Sequence, residues 1–420
     1  MPFFRGPDPR HVRQRNIWHL YQDLAWLGLA TAATSYVSVY AIRLGASERL
    51  LGLMMSVPSL LMVLLRIPAA RLTERTADRK SLIVRSLLLR RLGYLVICLL
   101  PWFALLPGVR EIPPATLLVG VVILMAVPMV LSSAGWDSFF ADIVPPRRRS
   151  QVVSVRSTMT AMISLAMVPL MGSFLEWAPF PSNYQVIYLV AFIGAAVSLW
   201  HVHVIKVSPA VEVARRHPPL GFAEARRILQ DSPEFTALVL GTFVYQLAIS
   251  IVSPLFSIYF VEYLGASESW IGWRLTLASL MSILAYRIWP AQIDKRGDVK
   301  MLILASPLMA LFPLLTGLTR SLTPNLFIVL LPRLFGSCVM LARYNILLRV
   351  TPADRRPTYI AIYAILANVA AFVAPLVGVA LVDVMGITRV FFVSAGLRLT
   401  AALLYRRLPS AARQAEAVTA

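Results

Sequence analysis

Leu44-Gly45-Ala46-Ser47-Glu48 returns letter for letter as Leu264-Gly265-Ala266-Ser267-Glu268, 220 positions later in a chain of 420 residues. With that offset held, Gly52 falls on Gly272, Ser59-Leu60 on Ser279-Leu280, and Glu74-Arg75 on Asp294-Lys295. Asp78 then meets Asp298 and Lys80 meets Lys300, in a register that runs from 44 to 83 without a gap. A second match, at offset 206, pairs Arg149 with Arg355 and Pro169-Leu170-x-Gly172 with Pro375-Leu376-x-Gly378. The smaller second offset means shorter loops in the second half. A unit this long exceeds the roughly 20–50 residues of a solenoid repeat. The chain is a duplicated bundle.

Composition places that bundle in a bilayer. Apolar residues make up 58% of the chain and charged residues 14%, with a mean hydropathy of +0.72. A soluble domain sits near half apolar and a quarter charged. Twelve apolar runs approach the ~20 residues that cross a membrane as a helix. They lie at about 18–42, 50–70, 82–106, 115–140, 152–176, 185–205, 236–262, 270–290, 301–319, 325–348, 358–384 and 389–405. The expected fold is all-α, with twelve spans in two pseudo-symmetric six-helix bundles. The first run is too long for a signal peptide and has no small-residue cleavage site before a polar mature start.

A net charge of +20 raises nucleic-acid binding, so the placement of the bases decides. Counted loop by loop, 27 of the 40 Lys and Arg fall on one side of the predicted array, five on the other and eight within spans. Arg156 is grouped with the loop bases in that count. The alternation follows the positive-inside rule and puts both termini in the cytoplasm. No contiguous basic domain remains to hold nucleic acid.

The chain divides into a cytoplasmic segment 1–17, a bundle 18–206, a linker 207–234, a second bundle 235–406 and a cytoplasmic tail 407–420. The linker carries Phe222-Ala223-Glu224-Ala225-Arg226-Arg227-Ile228-Leu229, which reads as an amphipathic helix on the inner membrane surface. Cys98 and Cys338 fall in different spans and suit apolar packing rather than a disulfide. CxxC, HExxH, Walker and GxSxG motifs are absent, and His201 and His203 are poorly spaced for one helical face. Neither a cofactor nor a metal is expected.

Ala70-Arg71-Leu72-Thr73-Glu74-Arg75-Thr76-Ala77-Asp78-Arg79-Lys80 resembles the loop between helices 2 and 3 of the major facilitator superfamily, G-x-L-A-D-R-x-G-R-R/K. Leu72, Arg75, Arg79 and Lys80 match and Glu74 stands for the usual Asp. Ala70 and Ala77 replace glycines, and Asp78 sits where an arginine is usual. The second copy keeps Asp294, Lys295, Gly297 and Lys300. The likeness in layout covers about 16–408. It implies a secondary transporter that rocks between its halves. In that architecture the inner ends of helices 4 and 10 approach across the cytoplasmic mouth. Asp137 falls on Arg343 at offset 206, so a gate contact between them is expected, with Asp142 a further partner for Arg75 or Arg79.

Val168-Pro169-Leu170-Met171-Gly172-Ser173 in helix 5 is similar to the G-P-x-x-G-G element of antiporters in that superfamily, through Pro169 and Gly172 alone. Pro375 and Gly378 repeat it in helix 11. Bending and close packing explain the same residues, and only a slight preference for export follows.

Charges within spans mark function, since each costs roughly 2.5–3.5 kcal/mol at mid-depth. Asp23 is the one acid well inside a cavity-lining helix, with Trp26 nearby, and is the candidate for a coupling proton. Tyr245, Gln246 and Arg333 are the matching candidates in the second half. By the resemblance Arg90-Arg91 lie on a peripheral helix, where long side chains snorkel. Arginines in the spans suit an anion, while an apolar cavity suits a lipophilic substrate. The expectation is a non-enzymatic, alternating-access carrier of the cell inner membrane. It would act as a monomer among membrane lipids on an unidentified small molecule. The alternatives are a membrane-embedded lipid-modifying enzyme, or a transporter-like scaffold or sensor without flux. No catalytic cluster supports the first.

Overall fold

The computed structural model describes residues 9–76, 78–103, 106–145, 149–206, 222–352 and 355–408. Among them every regular element is helical. In lipid the backbone has no water to bond, and an α-helix satisfies its own N–H and C=O groups.

In the first half α1 is Pro9–Thr34 continued by Val37–Arg43, α2 is Glu48–Arg75 and α3 is Arg79–Phe103. Then come α4 (Pro114–Ile143), α5 (Arg149–Trp177) and α6 (Ser182–Val204). After a short linker helix, Phe222–Asp231, α7 runs Pro233–Ser250, Ser253–Ile258 and a π-helical turn Tyr259–Tyr263. The rest are α8 (Glu268–Arg296), α9 (Asp298–Leu308 and Leu311–Leu318) and α10 (Leu322–Ile328 and Leu330–Val350). The last two are α11 (Arg356–Met385) and α12 (Ile387–Tyr405). Ten of these twelve are long and apolar enough to cross a membrane. The other two, α3 and α8, carry Arg90, Arg91 and Arg274 within them. Among the described residues the protein is a multi-pass, all-α membrane protein of twelve long helices and one short linker helix.

The repeated pentapeptide now has a physical reading. Gly45 has φ +85° and Gly265 φ +65°, left-handed values that glycine adopts without strain. Each ends a helix with a wide-ring backbone bond: Ala46 N–H donates to Ala41 O at 2.9 Å, and Ala266 N–H to Phe260 O at 2.8 Å. The serine two residues on starts the next helix. Ser47 Oγ accepts from Leu50 N–H at 3.3 Å and Ser267 Oγ from Trp270 N–H at 3.2 Å. Glu48 and Glu268 then place a negative charge in the first turn. Gly45→Ala should therefore cost about 1–2 kcal/mol through the backbone alone, because no heavy atom stands within 4 Å of the position a Cβ would take. Folded protein remaining after a heat ramp checks this, and an unchanged midpoint would count against the cap reading.

Contacts divide the chain into two compact units. The first comprises Met1–Ala46, Leu61–Arg216 and Ser267–Gly272, and the second comprises Ser47–Leu60, His217–Ala266 and Trp273–Ala420. Within the first, α1 packs on α5 and α6, and α3 on α4 and α6. Within the second, α7 packs on α11 and α12, and α9 on α10 and α12. The same neighbour pattern thus recurs in both units. The cores form around Leu20, Ile83, Phe139 and Val202 in the first, and around Phe235, Leu302, Ile346 and Tyr405 in the second. The first unit's Arg43 also grips the buried Glu268, at 2.8 and 3.2 Å.

Small residues set the helix spacing. A Cβ at Gly172 would meet Tyr36 Oη at 2.6 Å and Glu268 O at 2.8 Å, and one at Gly378 would lie 1.9 Å from Ile251 O. The glycines of both Pro-Gly elements therefore sit where two helices nearly touch. Pro169 and Pro375 are interior to α5 and α11.

Candidate functional site

Asn16, His19 and Asp23 recur at three- and four-residue spacing along α1, on one helical face. All three are buried. α6 answers with a polar stripe of its own. Asn16 Nδ2 donates to Lys206 O at 2.7 Å, and Lys206 N–H donates back to Asn16 Oδ1 at 3.1 Å. The Nδ1 atoms of His19 and His201 lie 2.8 Å apart, so one ring donates and the other accepts. Ser198 Oγ donates to Asp23 Oδ1 at 2.5 Å.

Two arginines complete the surroundings of Asp23. Arg91 of α3 places Nη2 3.4 Å from Oδ1 and 2.9 Å from Ser198 Oγ. Arg156 of α5 places Nη2 3.2 Å from Oδ2. Asp23, Arg91 and Arg156 are 2%, 3% and 7% exposed, so solvent screens none of these pairs effectively. The Arg156 guanidinium also stands 5.2 Å above the Trp136 ring and 5.7 Å from that of Phe140. Such cation–π contacts strengthen on desolvation.

Two expectations are corrected here, while Asp23 stays the one acid among the described cavity-lining residues and is the hub of an ion-pair network. Arg91 does not snorkel outward from a peripheral helix. α3 packs on α6, and a buried carboxylate is a better partner than a distant headgroup. Arg156 is not a loop base, since it lies inside α5 and points at Asp23.

The cluster borders a cavity of about 550 Å³ within the first unit. Among the described residues Asp23, Arg66, Arg90, Arg91 and Arg156 contribute its charged lining: four guanidiniums against one carboxylate. Ser132, Ser133 and Trp136 add polar and aromatic surface, while Leu24, Leu27, Met62 and Met129 line the apolar remainder. Trp26 is not among the lining residues and is 38% exposed.

Tyr245, Gln246 and Arg333 belong to the second unit. Tyr245 is buried beneath the Arg343 guanidinium, 4.7 Å from its ring centre. Gln246 Nε2 donates to Ser250 Oγ at 3.0 Å, and Arg333 is exposed. The side chains of Glu74, Arg75, Asp137 and Asp142 lie outside those described. Asp78 caps α3, accepting from Ser81 N–H at 2.9 Å. In the second loop Gly297 takes φ +83°. Asp298 after it accepts from Asn345 Nδ2 at 2.8 Å and pairs with Arg349 at 3.6 Å. Lys295 and Lys300 are exposed. Among the described residues no group of three or more His, Cys, Asp or Glu is arranged to hold a metal ion.

What reading the spans one by one missed was the matching of two polar stripes, Asn16-His19-Asp23 and Ser198-His201. Their periodicity is visible in the sequence, and buried polar groups in adjoining spans have to find one another.

The sequence matches the family model described as Major Facilitator Superfamily over residues 24–241 and 238–419. Two curated relatives are each described as "Multidrug resistance protein MdtG". The one from Serratia proteamaculans is 29% identical over 170 residues, which is 39% of this chain and 41% of the relative. The one from Citrobacter koseri is 30% identical over 174 residues, 40% of this chain and 42% of the relative. The chain thus spans about two fifths of the length of these relatives. Among solved structures, a bacterial homologue of the human lysosomal transporter Spinster, inward-facing and unoccupied, aligns with TM-score 0.67 and 16% identity. It covers 95% of this chain and 97% of that one. A mutant of the nucleoside transporter NupG aligns with TM-score 0.69 and 9% identity over 95% and 100% of the two chains. At these identities the likeness concerns the fold.

Proposed function

The chain belongs to the major facilitator superfamily, and from that premise we propose a secondary carrier that moves a small organic molecule across the cell membrane by alternating access. The observation that carries the reading is the Asp23–Arg91–Arg156 cluster at the edge of a 550 Å³ cavity. Charge is expensive in a bilayer, and a group of buried charges beside an empty space marks a path or a binding site. The volume lies within the roughly 300–1,000 Å³ of small-molecule sites. Outward movement is the direction we favour, since drug resistance of the kind named in the relatives' descriptions would follow from it. Both termini and the linker would lie in the cytoplasm, on the side favoured by the loop bases.

Coupling to protons through Asp23 is the less favoured arrangement. A protonated Asp23 would leave two buried guanidiniums without their counter-charge, a costly state. We read Asp23 instead as a fixed counter-ion that holds Arg91 and Arg156 at the cavity wall.

Counterflow tests the carrier itself. Vesicles containing purified protein are loaded with unlabelled compound and given tracer outside, using dyes and antibiotics of positive, zero and negative charge. Transient tracer accumulation above protein-free vesicles is expected for at least one class. Its absence for every class would sink the carrier in favour of a scaffold or sensor. An imposed pH gradient that fails to drive accumulation of an exchanged compound would remove the proton as coupling ion.

A further inference from the structure

We infer that the cavity beside Asp23 is a site for an organic anion, one carboxylate or phosphonate group on an apolar or aromatic body. The inference names the substrate class of the carrier proposed above and rests on that proposal only for the transport step.

Charge balance leads to it. Among the described residues four arginines and one carboxylate line the space, and Asp23 is already divided between Arg91 and Arg156. Arg66 and Arg90 face the same cavity, and among the described residues no carboxylate lies within ion-pair distance of either. The donor inventory agrees. Arg91 spends Nη2 on Asp23 and Ser198, while its Nη1 is buried with no hydrogen-bond partner. A buried charged donor without an acceptor is costly, and a negative charge placed in the adjoining cavity would offset part of that cost. Guanidiniums present paired N–H groups that match carboxylate and phosphonate oxygens.

The rest of the lining specifies the body attached to that charge. Leu24, Leu27, Met62 and Met129 form an apolar wall, and Trp136 offers a ring already polarised by Arg156. A small hydrated inorganic anion would leave that wall wet, whereas an anion with an apolar body would cover it. A cation would meet a net surplus of positive charge among the described lining residues.

Two sources carry this chemistry, a soluble organic anion and the headgroup of an anionic lipid. The test uses full-length protein in nanodiscs of phosphatidylcholine. Phenylphosphonate, benzoate, benzamide and benzylamine share a ring and differ in charge, and each is titrated by calorimetry. Saturable binding of the two anions is expected, at least about tenfold tighter than of the amide or the amine. Arg90→Gln should weaken anion binding about tenfold or more, as loss of a charge-assisted hydrogen bond does. Arg90→Lys should recover part of it. Size-exclusion profiles that match wild type keep a folding defect from imitating this result. Equal or tighter binding of benzamide or benzylamine, no saturable anion binding, or unchanged affinity in Arg90→Gln would each overturn the anion site. Repeating the phenylphosphonate titration in discs containing phosphatidylglycerol separates the sources. Competition assigns the site to a lipid headgroup and undiminished binding to a soluble anion, and both uphold the anion class. Counterflow of labelled benzoate is scored apart. Binding without exchange leaves the anion site standing and removes the carrier, while exchange of the amide or amine alone does the reverse.

Discussion

Asp23→Asn is expected to lose most of the folded protein, with a cost of about 3–5 kcal/mol, the range for removing one partner of a buried ion pair. The amide can still accept from Ser198, so the loss is electrostatic and not steric. Two guanidiniums, 3% and 7% exposed, would share a site with no negative charge among the described residues. The compensating change follows from the same geometry. Adding Arg156→Gln to Asp23→Asn removes one stranded charge and should return a substantial part of the stability. Non-additivity of this kind is what a double-mutant cycle isolates. The measurement is the fraction of monodisperse protein surviving a heat ramp in detergent, for both single variants and the pair. A readily purified Asp23→Asn with a wild-type midpoint would show that the cluster does not hold its charges together. That outcome would also return Asp23 to candidacy as a proton carrier, since such a carrier has to tolerate neutralisation.

The second large effect lies in the other unit. A Cβ on Gly378 would stand 1.9 Å from Ile251 O and 2.9 Å from Ile251 C, both of them backbone atoms that cannot rotate away. Gly378→Ala should force α7 and α11 apart at a cost at or above the ~1–3 kcal/mol of core overpacking. Gly172→Ala should be milder, because the nearest obstacle at 2.6 Å is the movable Tyr36 hydroxyl, although Glu268 O at 2.8 Å remains. Gly120→Ala meets nothing within 4 Å and serves as the control. There the gain in helix propensity, about 1 kcal/mol, is free to appear. The expected order of thermal midpoints is Gly120→Ala highest, then Gly172→Ala, then Gly378→Ala. A Gly378→Ala protein as stable as the control would show that the two helices are not held at that separation.

Much of this was legible one residue at a time. Mean hydropathy and the spacing of apolar runs determine that the chain spans a membrane as helices, because a bilayer tests each segment for length and polarity by itself. Repetition of Leu-Gly-Ala-Ser-Glu determines two equivalent helix–turn–helix joints, since a left-handed glycine and a capping serine act within a few residues of sequence. Both copies take that geometry.

The site is a different matter. Asp23, Arg91, Arg156 and Ser198 come from four helices, and nothing local to any of them names the other three. Taken alone, Arg91 reads as a snorkelling base and Arg156 as a loop base. Each reading is the least costly one for a charge with no known partner. Only the packing of α1 on α5 and α6, with α3 against α6, brings two guanidiniums to one carboxylate. Hydropathy scales add residues one by one, whereas the free energy of a buried charge depends on what stands within about 4 Å of it. The sequence by itself therefore determined the helices, their number and their duplication. Tertiary structure alone decided which charges are neighbours, and so where the cavity is and that the surplus charge of its described lining is positive.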